Sequence, residues 1–320
     1  MWYTSNFFAP TRYPMRVTVE QNPPEVLSAV PFIKWAGGKR WLAGAIAELL
    51  SGDGRHIEPF AGSAACFFAS HSQEAQLSDN NDELMNCYRV VRDNASALIT
   101  AITSCKINKK TFERFRSATG LTSLDRATRF IYLNRTAFNG LYRVNRHGQF
   151  NVPFGCKPST VLCDKTSILQ CSERLRNVDL LTCDFRKALG HLRKSDVAYI
   201  DPPYTLRTNS VSFRRYNERL FSWEDQVCLA QIANRLAAKN IRLIISNALH
   251  SDITNMYSKQ YFHAARVTRS STMAAAAAKR GTSEELLLIS RAVISHTKPL
   301  KALLNHHLPA RTQFIRLRSE

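Results

Sequence analysis

The sequence predicts an α/β domain with a mainly parallel sheet, interrupted by one insertion. From residue 31 onwards, short apolar runs alternate with helix-like patterns, which is typical of βαβ units. The alternation stops over residues 101–177, where basic helical stretches and a Gly/Asn/Pro-rich segment replace it, and strand-like runs then resume. With 320 residues, 44% of them hydrophobic, the chain is long enough to bury an ordinary core.

The strand and helix candidates follow in chain order. "HIEPF" leads into a small-residue turn and a helix candidate at 62–70, and "AQLSD" precedes another near 80–100. After the insertion, "VDLLTCDF", "VAYI" and "IRLIISN" read as strands. Ser222 and Asp225 resemble a capping box at the start of a helix over 223–239. Its core face is expected to carry Leu229, Ile232, Ala233 and Leu236.

Both ends of the chain are expected to lie outside this domain. Residues 1–30 carry four prolines and little periodicity, which indicates an N-terminal extension. Residues 292–320, rich in Arg, Lys and His, predict a solvated basic tail, with accessory DNA contact as the less favoured alternative. The low-complexity run "MAAAAAKRG" at 273–281 fits either a helical turn or a mobile loop.

Composition restricts the class of partner. The net charge of +19 favours a polyanionic partner, with nucleic acid as the first candidate, although a basic protein can also be merely soluble or bind anionic membranes. No run reaches the roughly 18–20 apolar residues of a membrane span, and the N-terminus lacks an apolar signal core, so we expect a cytoplasmic protein without a membrane segment. We also expect a monomer in solution. The eight cysteines form no C-x-x-C pair, which predicts free thiols and no metal site.

Two glycine-containing segments are candidate ligand sites. In "EPFAGS", Glu58–Ser63, a strand enters a turn at Gly62 that opens a helix, and Asp79 ends the next strand candidate. This spacing is close to the roughly 20 residues typical of dinucleotide sites, and it favours a nucleoside ligand over a simple tight turn and helix cap. In "KWAGGKR", 34–40, Lys39 and Trp35 could bind an anionic and an apolar or cationic group, or the glycines could simply form a turn.

"DPPY", residues 201–204, follows a strand candidate and carries a specific chemistry. The exocyclic amine of a base is a poor nucleophile because its lone pair is delocalised, and two acceptors for its N–H bonds would localise that pair. Asp201 and the carbonyl of Pro202 can be those acceptors, held by the fixed φ of Pro202 and Pro203, while Tyr204 can stack on a planar ring. The alternative is a Pro-Pro turn with Asp201 as a capping acid.

The segment 134–155 predicts a hairpin around Arg146-His147-Gly148. Alternation places Tyr142, Val144, Phe150 and Val152 on a packed side and Leu141, Arg143, Asn145, Gln149 and Asn151 on a polar side. A polar hairpin face can enter a major groove, and Arg143 suits a bidentate contact with guanine. Exposed hairpins that bind no DNA are more common, so the pattern depends on its neighbours.

Together, "KWAGGK", "EPFAGS", "DPPY" and "NR…NGLYRVN…G.FNVPFG" resemble the Dam-like DNA N6-adenine methyltransferases, the type that recognises GATC, over roughly residues 31–290. The resemblance implies a Rossmann-like sheet that binds S-adenosylmethionine, formed by 31–100 and 178–291. It also implies an inserted, mainly helical DNA-recognition domain at 101–177 that carries the β-hairpin, and double-stranded DNA as the partner.

The resemblance also implies site residues. Those of the cofactor site would be Trp35, Lys39, Glu58, Phe60, Gly62, Asp79, Asp184 and Phe185. Those that contact DNA would be Lys34, Arg135, Phe138, Asn139, Leu141, Arg143, Asn145 and Pro153. Three features depart from the family pattern: Ala64 replaces a frequent glycine, Phe138 replaces a frequent tyrosine, and alanines occupy a usually polar loop at 273–281.

The hypothesis that follows is methyl transfer to N6 of an adenine flipped out of the duplex, at GATC. Two alternatives are a protein glutamine-amide methyltransferase, which the net charge of +19 and the aspartate in "DPPY" disfavour, and a DNA-binding relative that has lost turnover, against which the intact "DPPY" argues.

Overall fold

A computed structural model describes residues 29–145, 147–156, 159–205, 221–270, 282–294, 312–315 and 317. In this part of the chain, eight strands form one sheet in the order β3-β2-β1-β4-β5-β7-β6-β8. Their bounds are β1 His56–Glu58, β2 Ala75–Asp79, β3 Val178–Thr182, β4 Val197–Ile200, β5 Arg242–Ala248, β6 Phe262–Ser270, β7 Thr282–Ser290 and β8 Thr312–Ile315.

Ten α-helices connect or cover these strands within the described ranges. They are α1 Ala43–Leu49, α2 Ala65–Ala69, α3 Asp82–Thr103, α4 Lys109–Ser117, α5 Ser123–Thr136, α6 Lys165–Arg174, α7 Phe185–Leu189, α8 Trp223–Ala238, α9 Ser251–Thr254 and α10 Arg291–Ile294. A short 3-10 turn, Phe138–Gly140, follows α5. The predicted capping box is present on α8, where Ser222 and Asp225 each accept the other's backbone N–H.

Strands β1 to β5 are parallel, which confirms the predicted α/β class. The register pairs Ile57 of β1 with Gln76 of β2 on one side and with Ala198 of β4 on the other. Because all five strands run in one direction, their carboxyl ends meet at one edge of the sheet, where ligands bind in open α/β folds. The order 3-2-1-4-5 makes β1 and β4 central, so the segments that follow them emerge side by side.

Strand β7 runs antiparallel to both β5 and β6, and β8 pairs antiparallel with β6. The prediction of a solvated tail over 292–320 was therefore wrong for residues 312–315, which extend the sheet, and for Val293, which is fully buried. Ala29, placed in the N-terminal extension, is also buried, at 4% exposed. Residues 1–28 and the predicted low-complexity loop, 273–281, lie outside the described residues.

Helices cover both faces of the parallel sheet. Val197 and Tyr199 of β4 pack in a core cluster with α1, whereas Ala198 and Ile200, which point to the opposite face, pack in a cluster with α8. Both faces are buried, so β4 reads as a continuous apolar run rather than an alternating one.

The described residues of the insertion, 101–145, 147–156 and 159–177, have no separate hydrophobic core. A third cluster joins Leu77 of β2 and Tyr88 of α3 to Phe112 of α4, Phe130 of α5 and Phe150 of the hairpin. The insertion is therefore fixed to the sheet domain by shared apolar packing rather than by a flexible linker.

The predicted hairpin is present and short. Val144 and Phe150 form an antiparallel bridge, and the backbone N–H of Asn151 donates to the carbonyl of Arg143. Phe150 and Val152 are buried and Arg143, Gln149 and Asn151 are exposed, as predicted. Leu141, predicted on the polar side, is instead half-buried against the core, because its apolar side chain packs there. Arg146, in the expected turn, lies outside the described residues.

The shared core predicts that the insertion and the sheet unfold together. Phe112→Ala should lower the free energy of unfolding by about 3–5 kcal/mol, because it leaves a cavity between α4 and the hairpin, and the loss should appear in a single denaturant transition followed by circular dichroism. Val161→Ala, at a side chain 65% exposed, is the control and should change stability by no more than about 0.5 kcal/mol. Two separate transitions would contradict the shared core.

Candidate active site

The turn after β1 approaches the end of β2 through its backbone. The N–H of Gly62 donates to Asp79 Oδ2 (3.2 Å), and the carbonyl of Gly62 accepts from the hydroxyl of the buried Tyr88 (2.8 Å). Gly62 has φ +47°, a left-handed conformation that glycine adopts without strain. Ala64, the departure from the family pattern, is also left-handed, with φ +49°, so an alanine stands where the backbone favours glycine.

Asp79 offers a carboxylate at this edge of the sheet. Its Oδ1 accepts the N–H of Asn81 (3.0 Å) while its Oδ2 accepts that of Gly62. Burial raises the pKa of Asp79, and the backbone hydrogen bonds lower it. A carboxylate has about four acceptor sites and the backbone of Gly62, Asn80 and Asn81 uses three, so Asp79 can still accept a hydroxyl hydrogen bond.

Glu58 lies inside the fold rather than beside open space. It is 2% exposed, its Oε1 accepts the N–H of Phe67 (2.7 Å), and the same oxygen lies 2.8 Å from Nε2 of the buried His56. Glu58 therefore supports the start of α2, and its role in the cofactor site stays a prediction.

Trp35 connects the Gly62 turn to the hairpin. Its ring stacks on Tyr142, with centroids 5.9 Å apart and planes at 19°, and on Phe130 at 6.4 Å. Its indole also lies against Gly62, where a Cβ would come within 2.8 Å of Cδ1. One aromatic side chain thus packs against both the candidate cofactor turn and the candidate recognition hairpin.

Three aromatic rings pack together after β1 and β3. Phe60 stacks on Phe185 at a centroid distance of 5.5 Å, and both contact Phe221 at 5.5 Å. Asp184, next to Phe185, accepts the N–H of Arg186 (2.8 Å) as the N-cap of α7. Phe185 and Phe221 are buried and Phe60 is partly exposed, with the Asp184 carboxylate close by in the chain, an arrangement that suits a planar, hydrogen-bonding ring.

A buried ammonium joins the segment "KWAGGK" to "DPPY". Lys39 Nζ lies 3.0 Å from Asp201 Oδ1 and 3.5 Å from Glu285 Oε2, and it lies over the ring of Tyr204 at 4.9 Å. The hydroxyl of Tyr204 donates to the same Glu285 Oε2 (3.0 Å). Lys39 is only 3% exposed, so its charge depends on these carboxylates rather than on water.

Asp201 has an unusual basicity for an aspartate. Its pKa is about 6, because burial raises the pKa by more than the positive charge of Lys39 lowers it. Glu285 and Glu58 raise it further because they are like charges. A carboxylate with this pKa is a better hydrogen-bond acceptor and base than an exposed aspartate, and it is still mainly ionised at neutral pH.

Several predicted DNA contacts lie on one exposed face. Asn134, fully buried at the end of α5, accepts the backbone N–H of Lys34 (2.9 Å) and donates to its carbonyl (2.7 Å). This fixes the exposed Lys34 beside Gly140 of the 3-10 turn, whose Phe138 is 51% exposed and whose Asn139 is left-handed, with φ +55°. The N–H of Phe138 donates to the carbonyl of Pro153 (2.9 Å), which brings the end of the hairpin to the same face.

Two other residues predicted to contact DNA form hydrogen bonds within the protein. Arg135 Nη2 donates to the carbonyl of Phe32 (2.6 Å), so its guanidinium is drawn inward. Asn145 Oδ1 accepts the backbone N–H groups of His147 and Gln149 and so closes the hairpin turn. Arg135 and Asn145 are thus half-buried side chains that support the fold, and their contact with DNA stays a prediction.

Arg143 is exposed on the polar side of the hairpin. Its Nε donates to Asn151 Oδ1 (2.8 Å), which orients the guanidinium across the hairpin. Leu141, at the base, is half-buried against the shared core. Beyond the hairpin tip, a surface cleft of about 590 Å³ separates it from the end of α4 and is lined by Arg116 and Arg129. This cleft lies on the insertion, apart from Asp201.

Three residues of the site were not predicted from the sequence. Glu285 shares Lys39 with Asp201, Phe221 completes the aromatic group, and Asn134 fixes Lys34. The available signals were weak: Glu285 starts the apolar run "ELLLIS", and Asn134 stands within the hairpin motif. Neither signal indicates which distant segment the side chain contacts.

The structure adds two negative observations on the part of the chain that it describes. No helix there has the length and apolarity to cross a bilayer. No three His, Cys, Asp or Glu side chains of the described ranges cluster as a metal site would require, and all eight cysteines are free thiols.

The D12 class of N6 adenine-specific DNA methyltransferases matches residues 35–273 of this chain. Among its relatives, the Type II methyltransferase M1.LlaDCHI of Lactococcus lactis subsp. cremoris is 35% identical over 269 residues, which cover 81% of this chain and 94% of the relative. The Type II methyltransferase M.MjaIII of Methanocaldococcus jannaschii is 31% identical, over a match that covers 69% of this chain and 85% of the relative. The DNA adenine methylase of Escherichia coli K12 is 29% identical, over a match that covers 83% of this chain and 98% of the relative.

The contact between Gly62 and Trp35 predicts that this turn tolerates no side chain. Gly62→Ala should lower the free energy of unfolding by about 1–3 kcal/mol, because the residue is left-handed and its new Cβ would lie 2.8 Å from the indole. Gly44→Ala is the matched control: its Cβ would meet nothing within 4 Å in helix α1, and it should stabilise the chain by about 0.4–1 kcal/mol. Equal urea midpoints for the two variants would refute the steric argument.

Proposed function

Because the chain belongs to the D12 class of N6 adenine-specific DNA methyltransferases, we propose that it transfers a methyl group from S-adenosylmethionine to N6 of an adenine flipped out of duplex DNA, at GATC. Membership of this class decides against the alternative of a protein glutamine-amide methyltransferase. The observation that carries the proposal is Asp201, a carboxylate only 19% exposed, beside Lys39 and Tyr204 at the carboxyl edge of the parallel sheet and next to the Gly62 turn.

The residues at the strand ends fit S-adenosylmethionine. Asp79 has acceptor capacity left for ribose hydroxyls, and the backbone at Gly62 carries no side chain to obstruct a ligand. Phe60 and Phe185 would hold the adenine ring of the cofactor, with Asp184 accepting from its amine. When bound, the cofactor supplies a methyl group activated by a sulfonium.

Asp201 and the carbonyl of Pro202 would activate the target amine. Two acceptors for the N6–H bonds localise the nitrogen lone pair and make it nucleophilic, and Tyr204 would stack on the target base. As N6 gains the methyl group it must lose one proton, and a carboxyl whose pKa is about 6 can hold that proton at Asp201. Asp201 would thus first accept a hydrogen bond from the N6 amine and then act as the base that takes its proton.

The target adenine has to leave the duplex, since its N6 is otherwise paired and stacked. The exposed face with Lys34, Phe138 and Asn139 would meet the duplex beside the vacated position, and the polar side of the hairpin would enter the major groove. Arg143 would read a guanine of GATC through two N–H groups. The net charge of +19 supports this partner through attraction to phosphates.

Methyl transfer tests the reaction and its target together. Labelled methyl from S-adenosylmethionine should reach N6 of adenine in a duplex with GATC and not in a matched duplex with the site scrambled. Asp201→Ala should lower the rate by at least about 10²-fold while DNA binding persists, and Asp179→Ala, at an exposed aspartate, should not lower it. Label on both duplexes would contradict the specificity for GATC. Label on neither duplex would contradict the proposed methyl transfer itself.

Arg143 is expected to carry part of the discrimination. Arg143→Ala should reduce the preference for guanine at one position of the site by about 1–3 kcal/mol, measured as the ratio of kcat/KM on duplexes that differ at that base pair. Asn151→Ala, which removes only the residue that orients the guanidinium, should cause a smaller loss of preference.

The control is Lys109→Ala on the exposed surface of α4, which should weaken binding to both duplexes alike. An unchanged preference in Arg143→Ala would remove this residue from the recognition of sequence.

A further inference from the structure

The ammonium of Lys39 opposes the role proposed for Asp201. In the structure, Lys39 Nζ lies 3.0 Å from Asp201 Oδ1, so the carboxylate that would accept the N6–H bonds is already paired with a cation. An ammonium at this distance withdraws electron density and makes the carboxylate a weaker acceptor. Catalysis by Asp201 therefore requires that a second anionic group share the positive charge of the Lys39 ammonium.

Glu285 is placed to hold it. Its Oε2 lies 3.5 Å from Lys39 Nζ and accepts the hydroxyl of Tyr204 at 3.0 Å, so one oxygen contacts both partners of Asp201. Glu285 is 9% exposed, which keeps this interaction in a low-dielectric environment. Two carboxylates share one ammonium, so Lys39 cannot neutralise both.

The position of Glu285 follows from the topology. It pairs with Ala248 of β5 and Val267 of β6, near the start of β7. Because β7 runs antiparallel to β5, its amino-terminal part lies at the edge where β4 and β5 end. A glutamate early in an antiparallel strand thereby reaches the residues that follow a parallel one.

We propose that Glu285 is a positioning residue of methyl transfer: it draws the ammonium of Lys39 away from Asp201 and orients the ring of Tyr204, so that Asp201 remains free to accept the N6–H bonds of the target adenine. This inference rests on the proposed function. Glu285 itself need not touch the base or the cofactor, because it acts through Lys39 and Tyr204.

The charges around Asp201 give the proposal a distinctive pH signature. Its pKa is raised by burial, lowered by Lys39 and raised by Glu285 and Glu58. Within the described ranges, the other titratable groups that face it are neutral. These neutral groups are Cys66, Tyr199 and Tyr204, and burial raises the pKa of each of them. Removing the charge of Glu285 should therefore lower the pKa of Asp201 and move the acid limb of activity to lower pH.

The test is Glu285→Gln, which keeps the shape and a hydrogen-bond acceptor for Tyr204 but removes the charge. We expect kcat for methyl transfer to GATC duplexes to fall about 10- to 100-fold, KM for DNA to change less, and the acid limb of kcat/KM, near pH 6 in the wild type, to shift downwards. Glu285→Asp restores the charge and should return the acid limb towards its original pH.

Glu284→Gln is the matched control, since this neighbour is 44% exposed and pairs with Arg266 instead. It should leave both kcat and the pH profile unchanged. Thermal unfolding of every variant checks that the fold is kept.

Activity of Glu285→Gln within about twofold of the wild type would overturn the inference, and so would a loss of kcat with an unmoved acid limb, which indicates a merely structural role. Either result leaves the proposed function intact, because the wild type still transfers methyl. If the wild type transfers none to any duplex, the proposed function fails, and the inference fails with it.

Discussion

The buried ammonium of Lys39 is the constraint on which the site depends. An ammonium that is 3% exposed has lost most of its hydration and is tolerated only where carboxylates replace the water. Asp201 and Glu285 do so from two different strands, and the carbonyl of Gly37 accepts a further hydrogen bond at 2.9 Å. The segment "KWAGGK", the end of β4 and the start of β7 must therefore converge for the chain to fold with this charge inside.

The same convergence sets the chemistry. Burial would by itself favour a protonated Asp201, and Lys39 would by itself favour a fully ionised and weakly basic one. The balance leaves a carboxyl with a pKa of about 6, which is ionised at neutral pH and still able to accept a proton. Glu285 contributes to this balance from β7, which the parallel part of the sheet alone could not supply.

The face expected to recognise DNA and the candidate active site lie on parts of the protein that share one hydrophobic core. The insertion shares its hydrophobic core with α3 and the edge of the sheet, and Trp35 stacks on Tyr142 of the hairpin while it packs on Gly62. Asn134 adds two hydrogen bonds to the backbone of Lys34. With these contacts, the exposed recognition face is held in a fixed relation to the turn after β1, and a flexible interdomain linker is not needed.

The sequence by itself determined the features that depend on neighbouring residues. Strands β1 to β5 and their order along the chain, the capping box of α8, the buried Phe150 and Val152 of the hairpin and the position of "DPPY" after β4 were all predicted. Local periodicity, turn residues and caps act over a few positions, so the sequence can show them. The motifs also sufficed to predict the family and therefore the reaction.

Only the tertiary structure decided which distant segments meet. It placed Glu285 against Lys39, turned Arg135 inward, closed the hairpin turn with Asn145, buried Glu58 under the Gly62 turn and added Thr312–Ile315 to the sheet. Each of these depends on strand order, on the antiparallel direction of β7 or on packing between segments far apart in the chain. Local pattern carries no information on such contacts, because the energy that fixes them is gained only when the whole sheet is assembled.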